Sequence, residues 1–552
     1  MTPLERFKNL IFIDKQDIYQ IILYSVIGGL ISLSLPLGIQ SIINFIQAGK
    51  ISTSWIVLIF IVVIGVAFVG YLKIMQYRIT ENLQQKIFVR SSFEFAYRFP
   101  KVKFNELQNQ YPPELANRFF DTLSVQKGFS KLLLEISGAA LQILFGILLL
   151  SLYHPFFIFF GFILLALLYL VFKINFKKGL ETSLNESKYK YKVAHWIQEI
   201  ARNHLSFKNN SIFNFSMKKN DILVNEYLKQ RENHFRVLLK QFIQLTTFKV
   251  IITAGLLIIG GLLVINQKMN IGQFVAAEII ILSIITAVEK LFTGLELFYD
   301  VLTSLEKLGS VVDMELEEDI NNISTNYNID GDKLTIDTDN LTFSYPKSDK
   351  IILKNVNLSI KPKEHTLILG ENGSGKSTLI RLLARLIEPT SGSIFINNTD
   401  YKKYSSEHYR SKIGIITADE MPFDGTILEN IICNNPKIKM ETVFNLIEKL
   451  KLTEAIKALP KGLDTPISSE GKQISSSTIQ RIVLARCIVN QPKLLFLENP
   501  LDKSDEQTCR EIIDYLSDDK NPWTLVVVSK NSYWKQICKQ TIHLVKGEIK
   551  TN

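Results

Sequence analysis

Cysteine is scarce in this 552-residue chain: four residues, Cys433, Cys487, Cys509 and Cys538, all lie in the C-terminal part at no metal-type spacing. That excludes a disulfide framework and a cysteine-based metal centre, and leaves four ordinary reduced thiols of a cytosolic compartment. The N-terminus, MTPLERFKNLIFIDKQDIYQ, lacks the apolar core and small-residue cleavage site of a secretory signal. An acidic excess is also missing, since the formal net charge is +10. A basic balance suits either a nucleic-acid partner or the cytoplasmic loops of a membrane protein. Apolar residues are what the chain has in quantity: they make up 47% of it, with a mean hydropathy of +0.14. That is high for a soluble protein and directs attention to membrane spans. The length exceeds one ordinary core, so two or more domains are expected.

Apolar runs near the roughly 20 residues needed to cross a bilayer recur through the first 300 residues. They are IILYSVIGGLISLSLPLGIQSIINFI from 21, WIVLIFIVVIGVAFVGYLKIM from 55, ISGAALQILFGILLLSLY from 136 and PFFIFFGFILLALLYLVFKINF from 155, then two starting near Phe248 and Ile271. Pro36 within the first is tolerable where neighbouring helices satisfy the freed backbone group. Links near Gly49, His154 and Lys268 are short, whereas 78–132 and 177–245 are long and rich in Lys and Arg. The positive-inside rule puts the long segments and both termini in the cytoplasm. Their helical patterns run past the membrane boundary, and at 1.5 Å per residue they reach far into it. In YPPELANRFFD (Tyr111–Asp121), a proline pair can start a short helix that presents Phe119 and Phe120 for docking, or the stretch is simply a capped turn. Glu278, early in the sixth span, is either a substrate-path candidate or an interfacial residue. Glu289, Lys290 and Glu296 recur at helical spacing and read as paired, solvated or facing a partner.

After about Val311 the spans stop, and an acidic, Asn-rich stretch suits a linker. The expected organisation is a membrane domain over 1–310, a linker over 311–333 and an α/β domain with a largely parallel sheet over 334–552. In that last domain, TLILGENGSGKSTLIRLLARL is a strand, a glycine-spaced loop and a helix. Gly370, Glu371, Asn372, Gly373, Ser374 and Gly375 form the loop, and Lys376, Ser377 and Thr378 open the helix. Glycines let backbone N–H groups curl around phosphates, Lys376 reaches the β- and γ-phosphates, and Ser377 can hold Mg²⁺. The helix dipole adds to this. Tyr345, about thirty residues upstream, is placed to stack on adenine or simply to pack.

Six spans with long intracellular helices, followed by this loop, resemble a full subunit of an ATP-binding cassette (ABC) exporter. The likeness extends to PFDGTILENI (Pro422–Ile431) and IQRIVLARCIVNQPKLLFL (Ile479–Leu497). PLGIQSIINFI and ELANRFFD resemble the type I secretion and peptide-export branch. The resemblance implies a multi-pass inner (plasma) membrane protein working as a homo- or heterodimer, with two cassettes sandwiching ATP and Mg²⁺. Each phosphate loop would then face the partner's signature segment. The secretion branch adds a periplasmic adaptor and an outer-membrane channel.

Carried over one position at a time, the resemblance shows departures. The Mg²⁺-sensing glutamine falls at Ala418, followed by Asp419 and Glu420. The signature reads Ile474, Ser475, Ser476, Ser477, Thr478. The Walker B aspartate is Glu498, the catalytic glutamate is Asn499 and the switch histidine is Lys530, while Asp505 keeps the D-loop aspartate. Asn499 can bond a water but cannot take its proton, whereas Glu498 keeps the charge a Mg²⁺ shell needs. Lys530 can still donate to a γ-phosphate. Ser475 can cap the signature helix and offer its N-terminus to a partner's ATP, while Ser476 and Ser477 add side chains where glycine allows close approach. ATP binding with slow hydrolysis is therefore expected, in an exporter subunit or in a non-catalytic partner of a heterodimer. Nucleic-acid handling by a soluble ATPase of this kind conflicts with six spans.

Overall fold

The computed structural model describes residues 1–47, 53–108, 110–208, 210–317, 329, 333–346, 348–418, 420–469, 471 and 473–550. Gly49, Asp419 and most of the expected linker (318–328 and 330–332) lie outside the described residues. The chain divides into two compact units, Met1–Pro100 with Gln110–Met314, and Lys101–Asn109 with Glu315–Asn552.

The first unit is helical. Its elements are α1 (Pro3–Ile13), α2 (Lys15–Ser32), α3 (Ser34–Gln47), α4 (Thr53–Arg98), α6 (Pro112–Asn117), α7 (Asp121–Ser151), α8 (Phe156–Arg202), α9 (His204–Phe207), α10 (Asn210–Ile265) and α11 (Ile271–Val312). The second unit contributes the four-residue α5 (Phe104–Leu107) between them. Among the described residues, six segments are long and apolar enough to cross a membrane, with α2 and α3 together forming the first. The break at Leu33 follows from Pro36, whose missing N–H leaves the Ser32 carbonyl without its helical donor. Apolar side chains such as Phe60, Phe162 and Ile265 point outward at 66%, 70% and 77% exposure. Outward-facing apolar rows of this length need lipid around them. The 47-residue α8 extends roughly 70 Å at 1.5 Å per residue, more than twice the roughly 30 Å of hydrocarbon it crosses.

Some polar groups inside the bundle find partners on neighbouring helices. Gln76 donates to the Ile21 carbonyl at 3.0 Å and to Ser25 Oγ at 2.8 Å. Asn175 donates to Gln244 at 2.8 Å. Glu289 pairs with Lys249, and Glu278 is half-buried on α11. Pro112 starts α6 as the sequence implies, but Phe119 turns inward, its ring 5.4 Å from Phe88 and 5.7 Å from Phe95 on α4, while Phe120 stays exposed. At Gly179, α8 meets α11 so closely that a Cβ would lie 2.3 Å from the buried Tyr299 ring. Gly179→Val should therefore displace Tyr299 and cost about 1–3 kcal/mol, as overpacking usually does. A thermal midpoint in detergent equal to that of the parent protein would contradict this.

The second unit is α/β. A six-stranded sheet runs β12 (Glu548–Lys550), β11 (Gln540–Val545), β3 (Thr366–Leu369), β10 (Thr524–Val528), β9 (Leu494–Glu498), β6 (Ile413–Ile416), parallel except for β12. An antiparallel sheet has the order β2 (Ile351–Ile360), β1 (Ile336–Ser344), β4 (Ser391–Ile396), β5 (Thr399–Asp400), and β7 (Gly425–Thr426) pairs with β8 (Pro466–Ile467). Every residue of β9 and β10 is buried, as continuous apolar runs in a covered parallel sheet should be. The helices are α12 (Lys376–Leu383), α13 (Ser406–Arg410), α14 (Ile427–Ile432), α15 (Met440–Lys449), α16 (Thr453–Lys457), α17 (Ser476–Ile488), α18 (Glu506–Ser517) and α19 (Trp534–Ile537). Leu379, Ile380 and Leu383 of α12 bury themselves in a core shared with Leu341, Phe343 and Val356. Residues 101–108 join this unit in space: Val102 bridges to Leu316, and Lys103 N–H donates to the Glu315 carbonyl at 3.0 Å. Phe104 packs against the same core beneath the Arg381 guanidinium, 5.3 Å from its ring centre.

Candidate functional site

β3, β9 and β10 end together, with Val528 opposite both Ile368 and Glu498, so three strand ends open onto one crevice at the carboxyl edge of the sheet. Open α/β sheets bind ligands at that edge. A cavity of about 400 Å³ lies there, within the size range of small-molecule sites. Gly370, Asn372, Gly373, Gly375, Lys376, Ser377, Thr378, Tyr345, Glu498, Asn499 and Lys530 line it. The structure thus brings together residues from four separate parts of the sequence.

The loop's shape depends on its glycines. Gly375 has φ +104 at the start of α12, and a Cβ at Gly370 would lie 2.3 Å from the Leu544 carbonyl oxygen. Lys376 Nζ donates to the carbonyl oxygens of Gly370 and Glu371 at 2.9 and 2.7 Å. Burial lowers the Lys376 pKa, Glu498 opposes that and Lys530 reinforces it. Ser377 Oγ donates to the carboxylate of Glu498, itself only 7% exposed. A hydroxyl beside a buried carboxylate is a hard-oxygen pair of the type Mg²⁺ takes, so the residues present fit that ion. Tyr345 bonds Thr378 Oγ1 through its hydroxyl at 3.1 Å and packs edge-on against Phe343. Glu371 and Ser374 do not line the cavity: Glu371 supplies a carbonyl to Lys376, and Ser374 Oγ is buried without a partner.

Asn499 follows Glu498 with φ +49, a left-handed conformation that asparagine adopts more readily than most residues. Its N–H donates to the Val528 carbonyl at 2.8 Å, and its carbonyl accepts from Gln480 at 2.8 Å. Gln480 also accepts from Lys503 N–H at 3.1 Å, so one side chain holds both ends of the segment after β9. Gln480→Ala should cost about 1–2 kcal/mol from these two bonds. A denaturation midpoint unchanged by the substitution would contradict that role.

The remaining sequence candidates lie elsewhere. Ser475 Oγ accepts from Thr478 N–H at 3.2 Å and caps α17, with Ser476 and Ser477 in its first turn, and none of the three lines the cavity. Asp505 caps α18 through Thr508 N–H at 2.9 Å, a bond that lowers its pKa. Ala418 is exposed after β6 and also lies outside the cavity. Two residues on, burial raises the Glu420 pKa, and Arg486 stands 3.8 Å from its carboxylate. Lys350, Val528 and Ser529 line the cavity without having been singled out. Their only signal in the sequence is adjacency, Lys350 to Tyr345 and Ser529 to Lys530.

The membrane unit holds its own cavity of about 460 Å³ among α2, α3, α4, α7 and α11. Lys73, Glu135 and Lys290 lie towards one end of the helices, and Pro36, Phe145 and Ile280 towards the other.

Residues 18–288 match the family described as the ABC transporter transmembrane region, and residues 353–502 match the ABC transporter family. An uncharacterized ABC transporter ATP-binding protein of Bacillus subtilis, YfiB, is 31% identical over 214 residues, 39% of this chain and 37% of that protein. A Staphylococcus aureus protein named as a candidate multidrug export ATP-binding/permease protein is 34% identical over 200 residues, 36% of this chain and 34% of its own length. Each match thus spans little more than a third of the relative. The solved structure of a bacterial Atm1-family ABC exporter with ATP bound shares the fold, with a TM-score of 0.84 at 16% identity over 97% of this chain and 94% of that one. The two family matches follow one another along a single polypeptide, and the chain belongs to the ABC transporter family as a subunit in which transmembrane region and ATP-binding domain are fused.

Proposed function

We propose that the chain is one subunit of a dimeric exporter of the inner membrane, with both termini and the ATP-binding domain in the cytoplasm, and that it binds ATP but hydrolyses it slowly. The loop from Gly370 to Gly375, with Lys376, would hold the phosphates, and Ser377 with Glu498 would hold Mg²⁺, which screens phosphate charge when bound. Tyr345 sits at the cavity wall where an adenine can lie. The printed name of the Staphylococcus aureus relative supports outward transport. The cavity among α2, α4, α7 and α11 is a candidate substrate path. The likeness to type I secretion would add a periplasmic adaptor and an outer-membrane channel, which co-purification tests.

One observation carries the slow-hydrolysis reading. The position beside Glu498 that faces the nucleotide cavity is an amide, Asn499. An amide orients water but accepts no proton from it. The same observation favours a second reading, a non-catalytic partner whose bound ATP keeps a heterodimer closed while the other subunit hydrolyses. Steady-state ATP turnover by the purified chain, alone and with any co-purifying subunit, separates the two. Fast Mg²⁺-dependent turnover by the chain alone, abolished by Lys376→Ala, would overturn both.

A further inference from the structure

We propose that the helical extensions of the first unit contain a binding site for a small phosphate-bearing anion that also carries hydroxyl groups, separate from the nucleotide site. A cavity of about 490 Å³ opens between α7, α8 and α11. Its wall is unlike a packed helix interface, because among the described residues five Ser or Thr and three Lys side chains line it beside two leucines, Leu123 and Leu297. Ser187 and Ser304 are each 6% exposed, and Ser187 Oγ has no hydrogen-bond partner among the described residues although it lines this space. A buried hydroxyl left unpaired costs its desolvation unless a guest supplies the missing bond. Ser183 and Thr303, by contrast, bond each other at 2.8 Å and are already satisfied.

The charges indicate the guest's sign. Lys127, Lys131 and Lys190 line the cavity from two helices. Lys131 has Glu135 at 3.8 Å, and Glu186 is held by Arg231 at 3.0 Å. That leaves Lys127 and Lys190 facing the space, with Asp300 as the one other carboxylate of the wall among the described residues. Two ammonium groups and the unpaired Ser187 hydroxyl can donate to several acceptor oxygens at once, which a phosphate group offers. Asp300 and the serine oxygens accept, which calls for hydroxyl donors on the same molecule. Glycerol phosphate is the simplest compound with both features.

This chemistry has two sources, a soluble metabolite and the headgroup of phosphatidylglycerol. Ser124 to Lys131 lie roughly 8–18 Å along α7 from the apolar run that begins at 136. The headgroup layer is about 5–8 Å deep, so most of the wall stands beyond lipid reach and a soluble ligand fits better. That this side is cytoplasmic rests on the proposed orientation, whereas the site itself does not.

The test is equilibrium binding of glycerol 3-phosphate to the intact chain, with a non-hydrolysable ATP analogue saturating the nucleotide site. It is run in nanodiscs of phosphatidylcholine and of phosphatidylglycerol. Saturable binding near one per chain is expected, weakened about tenfold or more per lysine in Lys127→Ala/Lys190→Ala. Ser187→Ala should weaken it severalfold, and the exposed control Lys229→Ala should leave it unchanged. Equal binding in both discs supports a soluble ligand. Competition in phosphatidylglycerol discs that disappears in the lysine variant assigns the site to the headgroup. Absence of saturable binding in either disc, or binding indifferent to the lysine and Ser187 variants, overturns the site.

Discussion

Asn499→Glu is expected to raise ATP turnover on the order of 100-fold, the low end of the range that a positioned proton acceptor contributes. The backbone at this position is left-handed, φ +49, and glutamate pays roughly 1–2 kcal/mol more than asparagine to adopt it. A hundredfold gain corresponds to about 2.7 kcal/mol of barrier, so the carboxylate prevails over the strain. Asn499→Gln controls for side-chain length, because it adds the methylene without the charge, and should leave turnover at the parent level. If glutamate changes nothing while ATP still binds, the limiting departure is another one, with Ala418 and Lys530 the next to restore. The effect should be largest with any partner subunit present, since a composite site would then have a standard signature segment opposite it.

Lys376→Ala should weaken ATP binding by about one to two orders of magnitude. Its ammonium lies in the cavity wall, holding the Gly370 and Glu371 carbonyls at 2.9 and 2.7 Å. Bound phosphate oxygens are stronger acceptors than those carbonyls, and one charge-assisted bond is worth about 1.5–3 kcal/mol. The loss should therefore be about 10- to 150-fold in affinity, read by titrating a fluorescent ATP analogue. Because Lys376 is not part of the packed core, its removal should leave the thermal midpoint without nucleotide near the parent value. Equal affinity in parent and variant would mean that the backbone donors of the loop suffice alone, which would leave the glycine spacing as the whole of the site's chemistry.

Much of this was legible in the sequence because the signals are local. Six spans follow from run length alone, and the phosphate loop from a glycine pattern bounded by strand and helix. The break at Leu33 was half legible, since Pro36 announces a lost bond but not whether the helix bends or stops. The partners of Phe119 were not legible, because nothing in YPPELANRFFD says that α4 supplies Phe88 and Phe95 to receive its ring. Gln480 escaped notice for a similar reason. Its role exists only where α17 passes the end of β9, 19 residues further on. Lys350 was hidden by distance from the loop it faces. Contacts that join elements far apart in sequence leave no periodic trace, whereas loops and spans do.

The bridge from Val102 to Leu316 and the burial of Phe104 beneath Arg381 have a topological consequence. The ATP-binding unit is a discontinuous fold: one piece of it is encoded more than 200 residues ahead of the rest. Its natural boundary is therefore a surface rather than a point along the chain. A fragment begun at residue 315 would carry an open seam where Leu316 and Arg381 lose their neighbours. Exchange of this unit between related chains by a single crossover would likewise pair each seam with a foreign strip. Recombination that respects the fold has to move both pieces together.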